Sequence, residues 1–364
     1  MKEAGSGGAP APPKPGSDPI RVLYASRNDG IHDRRFIAAL EDAGMTAVSV
    51  ALEATKPAER LGVLLQADGR LRPDVIVAGP LLDVALAVVR AGLKPVVGIS
   101  FAFDLLVDAL AAGGGELGHE ALAGCDALVC DAEAVAAAAI ALGMRSDAIL
   151  RLPWGVDLDR YPVSNADGRG RVRVRLGWSG DERIVLVTRS HEPLYRMPVV
   201  VAAFRLAASA DPRLRLLVLG DGTERPNLER AVADAGLTDR VRFVGRIDNA
   251  ELPDWYAAAD CYVSASPVDG SSVSLLEAMA TGLPVVVPNV GGNPEWVAEC
   301  RAGWLVPRDD PNAMASAMLE SVALDETALG EMQRAARHTV ETRADWRRNA
   351  PRFAALVARI ADHD

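Results

Sequence analysis

The feature that most constrains this chain is a rhythm. Short β-branched runs recur, each followed by an alanine- and leucine-rich stretch with helical spacing. In the first half the runs are IRVLYAS, AVSVAL, DVIVAG, PVVGIS and ALVCD; in the second they are RIVLVTRS, RLRLLVLGDG, VRFVGRI, CYVSAS and PVVVPN. Strands alternating with helices imply a parallel sheet with crossover helices. The helical patterns carry their own stops: DRRFIAALEDAG ends on Gly44, placed as a C-cap. No short sequence repeat accompanies the rhythm, so what recurs is the architecture, a doubly wound α/β sheet built twice.

The 364 residues leave room for two such domains. A cluster of Pro, Asn, Asp and Gly in YPVSNADGRGRVRVRLGW places a linker at 162–170, giving domains at 20–165 and 170–340. The RVRVR run within it reads as a solvated helix start. In 341–364, Trp346, Phe353, Leu356, Val357 and Ile360 fall at helical spacing, which predicts a terminal helix packing back on the first domain. Residues 1–19, MKEAGSGGAPAPPKPGSDP, lack the apolar stretch of a signal peptide and read as a disordered tail. No run of about 18 apolar residues predicts a membrane span, so the expectation is a cytoplasmic protein, with peripheral contact at the inner membrane face left open.

Charge and cysteines exclude further classes. A net charge of −10 argues against a nucleic-acid binder. Cys125, Cys130, Cys261 and Cys300 are too scattered for a zinc site or a disulfide framework. No G-x-G-x-x-G follows the first strand and no G-x-x-x-x-G-K-[ST] occurs, which speaks against nicotinamide, flavin and P-loop enzymes. No metal-ligand cluster is visible, and neither a metal nor a cofactor is expected.

The segment VDGSSVSLLEAMATGLPVVVPNVGGNPEW carries the chemistry. It reads as a loop after the CYVSAS strand, a helix opening near Ser272 or Ser274 and ending near Gly282, and the next strand. Ligands of such sheets bind beyond the carboxyl ends of the strands. There, the backbone N–H groups of Ser272, Val273 and Ser274 would meet a phosphate at a helix N-terminus. Glu277, a turn further in, could accept both hydroxyls of a ribose, and Asp269 in the loop could hold a further hydroxylated group. A capping serine, a turn aspartate and a solvated glutamate would explain each residue singly, but not the string with Gly291 and Gly292 following it.

That string resembles the E-x7-E signature of the retaining glycosyltransferases of family 4, here written D-x7-E, and GLPVVVPNVGGNPEWV continues the match. Residues 216–266 resemble the donor-domain core of that family, and CDALVCDAEAVAAAAIALGMRSDAILRLPWGVDLDRYP the end of its first domain. The resemblance implies a GT-B fold, two doubly wound Rossmann-like domains facing across a cleft. It implies transfer of a hexose-type sugar, with retention, from a nucleotide-diphosphate sugar to a glycan, lipid-linked or small-molecule acceptor. Glu277 would bind the ribose, Asp269 the hydroxyls of the transferred sugar, the backbone around Arg246 and Ile247 the base, and Arg189 the diphosphate.

Departures from the family pattern are visible. The lysine expected shortly after Arg189 is replaced by Tyr195 and Arg196, and no lysine follows Lys94. Arg196 is taken as the substitute charge, with Tyr195 as the other candidate. The loop VGISFAFDLL lacks the family's histidine; Asp104 there matches an acidic acceptor-side residue. In SRNDGIHDRRF, Gly30 matches the small residue that lets the first loop approach the donor, and His32 is the histidine placed to bind or catalyse. His191, beside Arg189, is a weaker donor contact, and His119 reads as a loop residue. Arg34 and Arg35 could meet an anionic acceptor or lipid surface. The competing readings on the same architecture are a nucleotide-sugar epimerase and a non-catalytic nucleotide-sugar-binding protein.

Overall fold

The computed structural model describes residues 18–53, 55–163, 165–178, 180–298 and 301–362. The chain divides into two compact units. One comprises the chain up to Trp154 together with the stretch from Arg347; the other is Gly155–Trp346.

The first unit holds six parallel strands: β1 (Arg21–Ser26), β2 (Thr46–Ala51), β3 (Val75–Ala78), β4 (Val96–Ile99), β5 (Ala127–Cys130) and β6 (Ile149–Arg151). They lie in the order β2-β1-β3-β4-β5-β6, a doubly wound arrangement whose direction reverses between β1 and β3. Strands β3, β4 and β5 are buried at every residue, as expected of a parallel sheet covered on both faces. The predicted helix is Ile31–Asp42, and Gly44 follows it at φ +84°. Phe353, from the helix Trp346–Ala361, packs edge-on against Phe36 at 4.7 Å. Asn349 Nδ2 on the same helix donates to the Pro153 carbonyl at 3.0 Å.

The second unit repeats the scheme with β7 (Arg183–Val187), β8 (Leu214–Leu219), β9 (Val241–Gly245), β10 (Cys261–Val263), β11 (Val285–Pro288) and β12 (Gly303–Val306). The order β12-β11-β10-β7-β8-β9 is that of a Rossmann sheet, with the reversal between β7 and β10. Register pairs Tyr262 with Leu186 and with Val285. Alternate residues feed opposite layers. Ile184, Leu186, Leu217 and Tyr262 join one apolar cluster; Val185, Val187, Leu216 and Val263 join the other. Each such fully buried aliphatic side chain contributes about 1.5–3 kcal/mol.

Two readings of the sequence need correction. The 162–170 stretch lies within the second unit, eight residues or more beyond the division at Trp154 and Gly155. Its polar cluster is a helix start: Asn165 caps the helix Ala166–Leu176, its side chain accepting from the Gly168 N–H. The arginines of that helix are not simply solvated. Arg169 donates to the carbonyls of Ala257, Ala258 and Ala259, closing the C-terminus of the helix Leu252–Ala258. Arg171 pairs with Asp254, and Arg173 with Asp260, each at 2.7 Å. The 1–19 tail and Cys300 fall outside the described residues, apart from Asp18 and Pro19.

Candidate functional site

Ligands of open α/β sheets sit outside the carboxyl ends of the strands, where the strand order reverses. In the second unit that point is fixed by the loops after β7 and β10. The first carries Thr188, Arg189, His191 and Tyr195; the second carries Ser266, Asp269 and Ser272 and runs into the helix Val273–Ala280.

Arg189 is the centre of the arrangement. Its Nη2 donates to Asp269 Oδ1 at 2.6 Å and lies 3.4 Å from Ser266 Oγ. Its Nη1 donates to Ser272 Oγ at 2.6 Å and to Ser274 Oγ at 3.2 Å. The ring of Tyr195 covers the guanidinium at 4.4 Å. The pair is nearly buried, with 13% and 11% of the Arg189 and Asp269 side chains exposed. Burial alone would pull the Arg189 pKa down, but Asp269 outweighs it and holds the guanidinium above its ordinary value.

The serines serve this cluster rather than the helix end. Ser272 occupies the N-cap position, yet its side chain makes no capping bond. Ser274 Oγ lies 3.1 Å from Ser272 Oγ and 2.8 Å from the Tyr262 hydroxyl. The first-turn N–H groups of Val273 and Ser274 therefore stay available to an anion. The loop geometry is held from behind by Gly291, at φ +52°: a Cβ there would fall 1.9 Å from the Asp269 carbonyl oxygen. The same carbonyl accepts from the Gly292 N–H at 3.0 Å. The second glycine-rich loop is thus the support on which the Asp269 loop rests.

Glu277 is gripped at both oxygens. Oε1 accepts from the Tyr161 hydroxyl at 2.7 Å, and Oε2 from the Tyr256 hydroxyl at 2.9 Å. Tyr256 also lies 3.1 Å from Thr188 Oγ1 and from the Ser274 carbonyl. Its single proton goes to the carboxylate, the stronger acceptor. Burial pushes the Tyr256 phenol well above its ordinary pKa, with Glu277 adding to the shift, so it remains a donor. The three tyrosines Tyr161, Tyr256 and Tyr262, with Ser266 and Thr188, carried no motif in the sequence.

Not every residue named from the sequence joins this group. Arg196 is half exposed, at φ +51°, and its Nε faces Asp309 at 3.8 Å instead. Tyr195, not Arg196, is the residue that touches Arg189. Arg246 is exposed and Ile247 half-buried just past β9, after Gly245 at φ +91°. His191 is fully buried, and burial lowers its pKa; it packs edge-on against Phe243 beneath the Gly220–Gly222 turn, away from solvent. A Cβ on Gly222 would come within 2.6 Å of the His191 backbone.

In the first unit the reversal point lies between β1 and β3, and the loop after β1 carries Gly30 and His32. The Gly30 N–H donates to Asp33 Oδ2 at 2.7 Å, which anchors the start of the helix Ile31–Asp42. His32 is half-buried near Phe101, and burial, with the Arg35 charge, pushes its pKa down to about 4. Asp104 is buried and committed to structure. It accepts from the N–H groups of Leu81 at 2.8 Å and Leu105 at 2.9 Å, and from Ser100 Oγ at 2.5 Å. It fixes its loop rather than presenting a carboxylate to an acceptor. His119 Nδ1 lies 3.1 Å from the Leu142 carbonyl. Among the described residues no group of three or more His, Cys, Asp or Glu is placed to hold a metal ion, and no helix is long and apolar enough to cross a membrane.

Two Rossmann-like units with these strand orders define a GT-B fold, and solved structures of that shape match it over nearly the whole chain. Sucrose-phosphate synthase from Thermosynechococcus elongatus has a TM-score of 0.80 at 19% identity, covering 93% of this chain and 98% of its own. HepE of Anabaena, solved in complex with UDP-glucose, has a TM-score of 0.76 at 19% identity, covering 93% and 100%. At such identities the likeness speaks for the fold.

Residues 181–323 match the family model described as glycosyl transferases group 1. The match lies within the second unit, which is thus similar to the group 1 glycosyltransferases. A D-inositol 3-phosphate glycosyltransferase of Streptomyces avermitilis is 35% identical over 196 residues, 51% of this chain and 42% of the relative. A GDP-mannose-dependent alpha-(1-6)-phosphatidylinositol monomannoside mannosyltransferase of Mycolicibacterium smegmatis is 31% identical over 220 residues, 58% of this chain and 57% of the relative. The chain spans about half the length of the curated relatives it matches.

Proposed function

We propose that this protein transfers a hexose-type sugar from a nucleotide-diphosphate sugar to a hydroxyl acceptor, with retention at the anomeric carbon. The observation that carries the reading is the buried Arg189, bonded to Asp269, Ser272 and Ser274 at the reversal point of the second sheet. The ribose hydroxyls would meet the Glu277 carboxylate, whose direction Tyr161 and Tyr256 set. The diphosphate would meet the N–H groups at Val273 and Ser274, the dipole of their helix, and the serine hydroxyls.

In this reading the Arg189–Asp269 pair changes partners. An arriving diphosphate competes for the Nη donors of Arg189 and frees the Asp269 carboxylate to accept sugar hydroxyls. As the glycosidic C–O bond breaks, negative charge grows on the departing diphosphate, and fixed donors aimed at it are the largest help available. Arg196 can add a second charge only by leaving Asp309. The acceptor would be a glycan, a lipid-linked sugar or a small molecule, and two relatives are named for inositol-containing substrates.

The test is a thermal-shift screen of nucleotide sugars, followed by transfer assays with the selected donor and anomer assignment of the product. Selective stabilisation by one donor and an axial-to-axial or equatorial-to-equatorial product support the reading. Inversion at the anomeric carbon contradicts the stereochemistry. An altered donor sugar without any acceptor would favour an epimerase instead.

A further inference from the structure

The second unit also holds a cavity of about 480 Å³ at the other ends of its strands. Arg183 opens β7, Asp260 precedes β10 and Pro284 precedes β11, and all three line it. From Arg183 to Arg189 the chain runs six residues, roughly 20 Å at strand spacing. The cavity therefore opens at the opposite end of the sheet from Arg189, with Tyr256, the partner of Glu277, in the wall between them. Its volume is within the range of small-molecule sites, about 300–1,000 Å³.

Its wall carries two arginines, Arg169 and Arg183, and two carboxylates, Asp260 and Glu326. Asp260 is shared by Arg169 and Arg173, each at 2.7 Å, and also accepts from the Ile184 N–H. Asp211, the carboxylate that senses Arg183, is bonded at both oxygens by Arg213. No carboxylate among the described residues forms an ion pair with Arg183, and its Nε is buried without a hydrogen-bond partner. Of the two arginines in the wall, Arg169 has Asp260 as its partner and Arg183 has no carboxylate partner among the described residues. Native proteins pair nearly all buried donors with protein, water or ligand.

We infer that this cavity is a second ligand site, for a small hydroxylated molecule bearing one oxyanion, a phosphate or a carboxylate. The oxyanion pairs with Arg183, whose planar fork suits either group. The ligand's hydroxyls meet Thr281 and Ser321, which line the cavity and already give their own protons to the carbonyls of Ala278 and Met318 at 2.8 Å. Those oxygens are left as acceptors.

Thermal unfolding of the full chain tests this, in inorganic phosphate and separately in malonate, each against chloride at equal ionic strength. Three proteins are compared: wild type, Arg183→Gln, and Leu329→Trp, which fills the cavity from the helix Glu326–Arg343. Neither substitution touches the Arg189 cluster. The wild type gains about 2–4 °C in at least one of the two anions, and both variants lose that gain; which anion acts identifies the oxyanion. If one variant fails to fold, the other still decides. Absence of an anion-specific gain in the wild type, or a gain that survives in either folded variant, overturns the proposal.

Discussion

The Arg189 guanidinium and the Asp269 carboxylate meet at 2.6 Å with little of either side chain exposed. Removing one partner of such a buried pair leaves an uncompensated charge, which is destabilising by about 3–5 kcal/mol. Asp269→Ala and Arg189→Ala should each lower the thermal midpoint of the second unit markedly. The double variant should lose less than the sum of the two. A double-mutant cycle by chemical denaturation measures this, and additive losses would show that the pair is not coupled.

Tyr161→Phe removes one of the two hydroxyls that orient Glu277, while the ring remains packed against Tyr256. A hydrogen bond to a charged group is worth about 1.5–3 kcal/mol. Donor affinity should therefore fall by roughly 10-fold or more, while the melting temperature changes modestly. Calorimetric titration of the selected nucleotide sugar checks it.

Gly291→Ala should damage the site without touching any ligand. The added Cβ would meet the Asp269 carbonyl at 1.9 Å, so the loop must move, and the φ of +52° adds strain of about 1–2 kcal/mol. Lower stability and weaker donor binding are expected together. Wild-type values for both would show that the Asp269 loop does not rest on this glycine.

His32 gives a pH signature. Its folded pKa is about 4, mainly because of burial, against about 6.5 in an unfolded chain. Between those values the unfolded state binds more protons, so this residue's contribution to stability is present above pH 6.5 and is lost as pH falls towards 4. His32→Gln should flatten that part of the stability-versus-pH curve. Denaturation at pH 7, 5.5 and 4.5 tests it; an unchanged slope in the variant would assign the dependence elsewhere.

Much of this was readable from the sequence, for identifiable reasons. Ten of the strands lie in β-branched runs flanked by turn residues. The strands missed, β6 and β12, are edge strands of three and four residues whose mixed burial leaves no pattern. Asp269, Ser272, Ser274 and Arg189 were legible because they sit at strand ends in recognisable strings. Tyr161 was not, because it reaches Glu277 from 116 residues away. The boundary at 162–170 was misplaced because the same Asn, Asp and Gly residues that punctuate linkers also start helices, as Asn165 does. Asp104 and His191 look functional by type and position, but Asp104 is buried and bonded to its own loop, and His191 is fully buried beneath the Gly220–Gly222 turn.

The central claim is that the second unit grips a nucleotide sugar through Glu277 and the Arg189 cluster. Calorimetric titration of that donor into wild type and Glu277→Ala tests it most directly. The account predicts a saturable wild-type isotherm and an affinity at least 10-fold weaker in the variant, with its fold intact by circular dichroism. Equal affinity in the two proteins would contradict it.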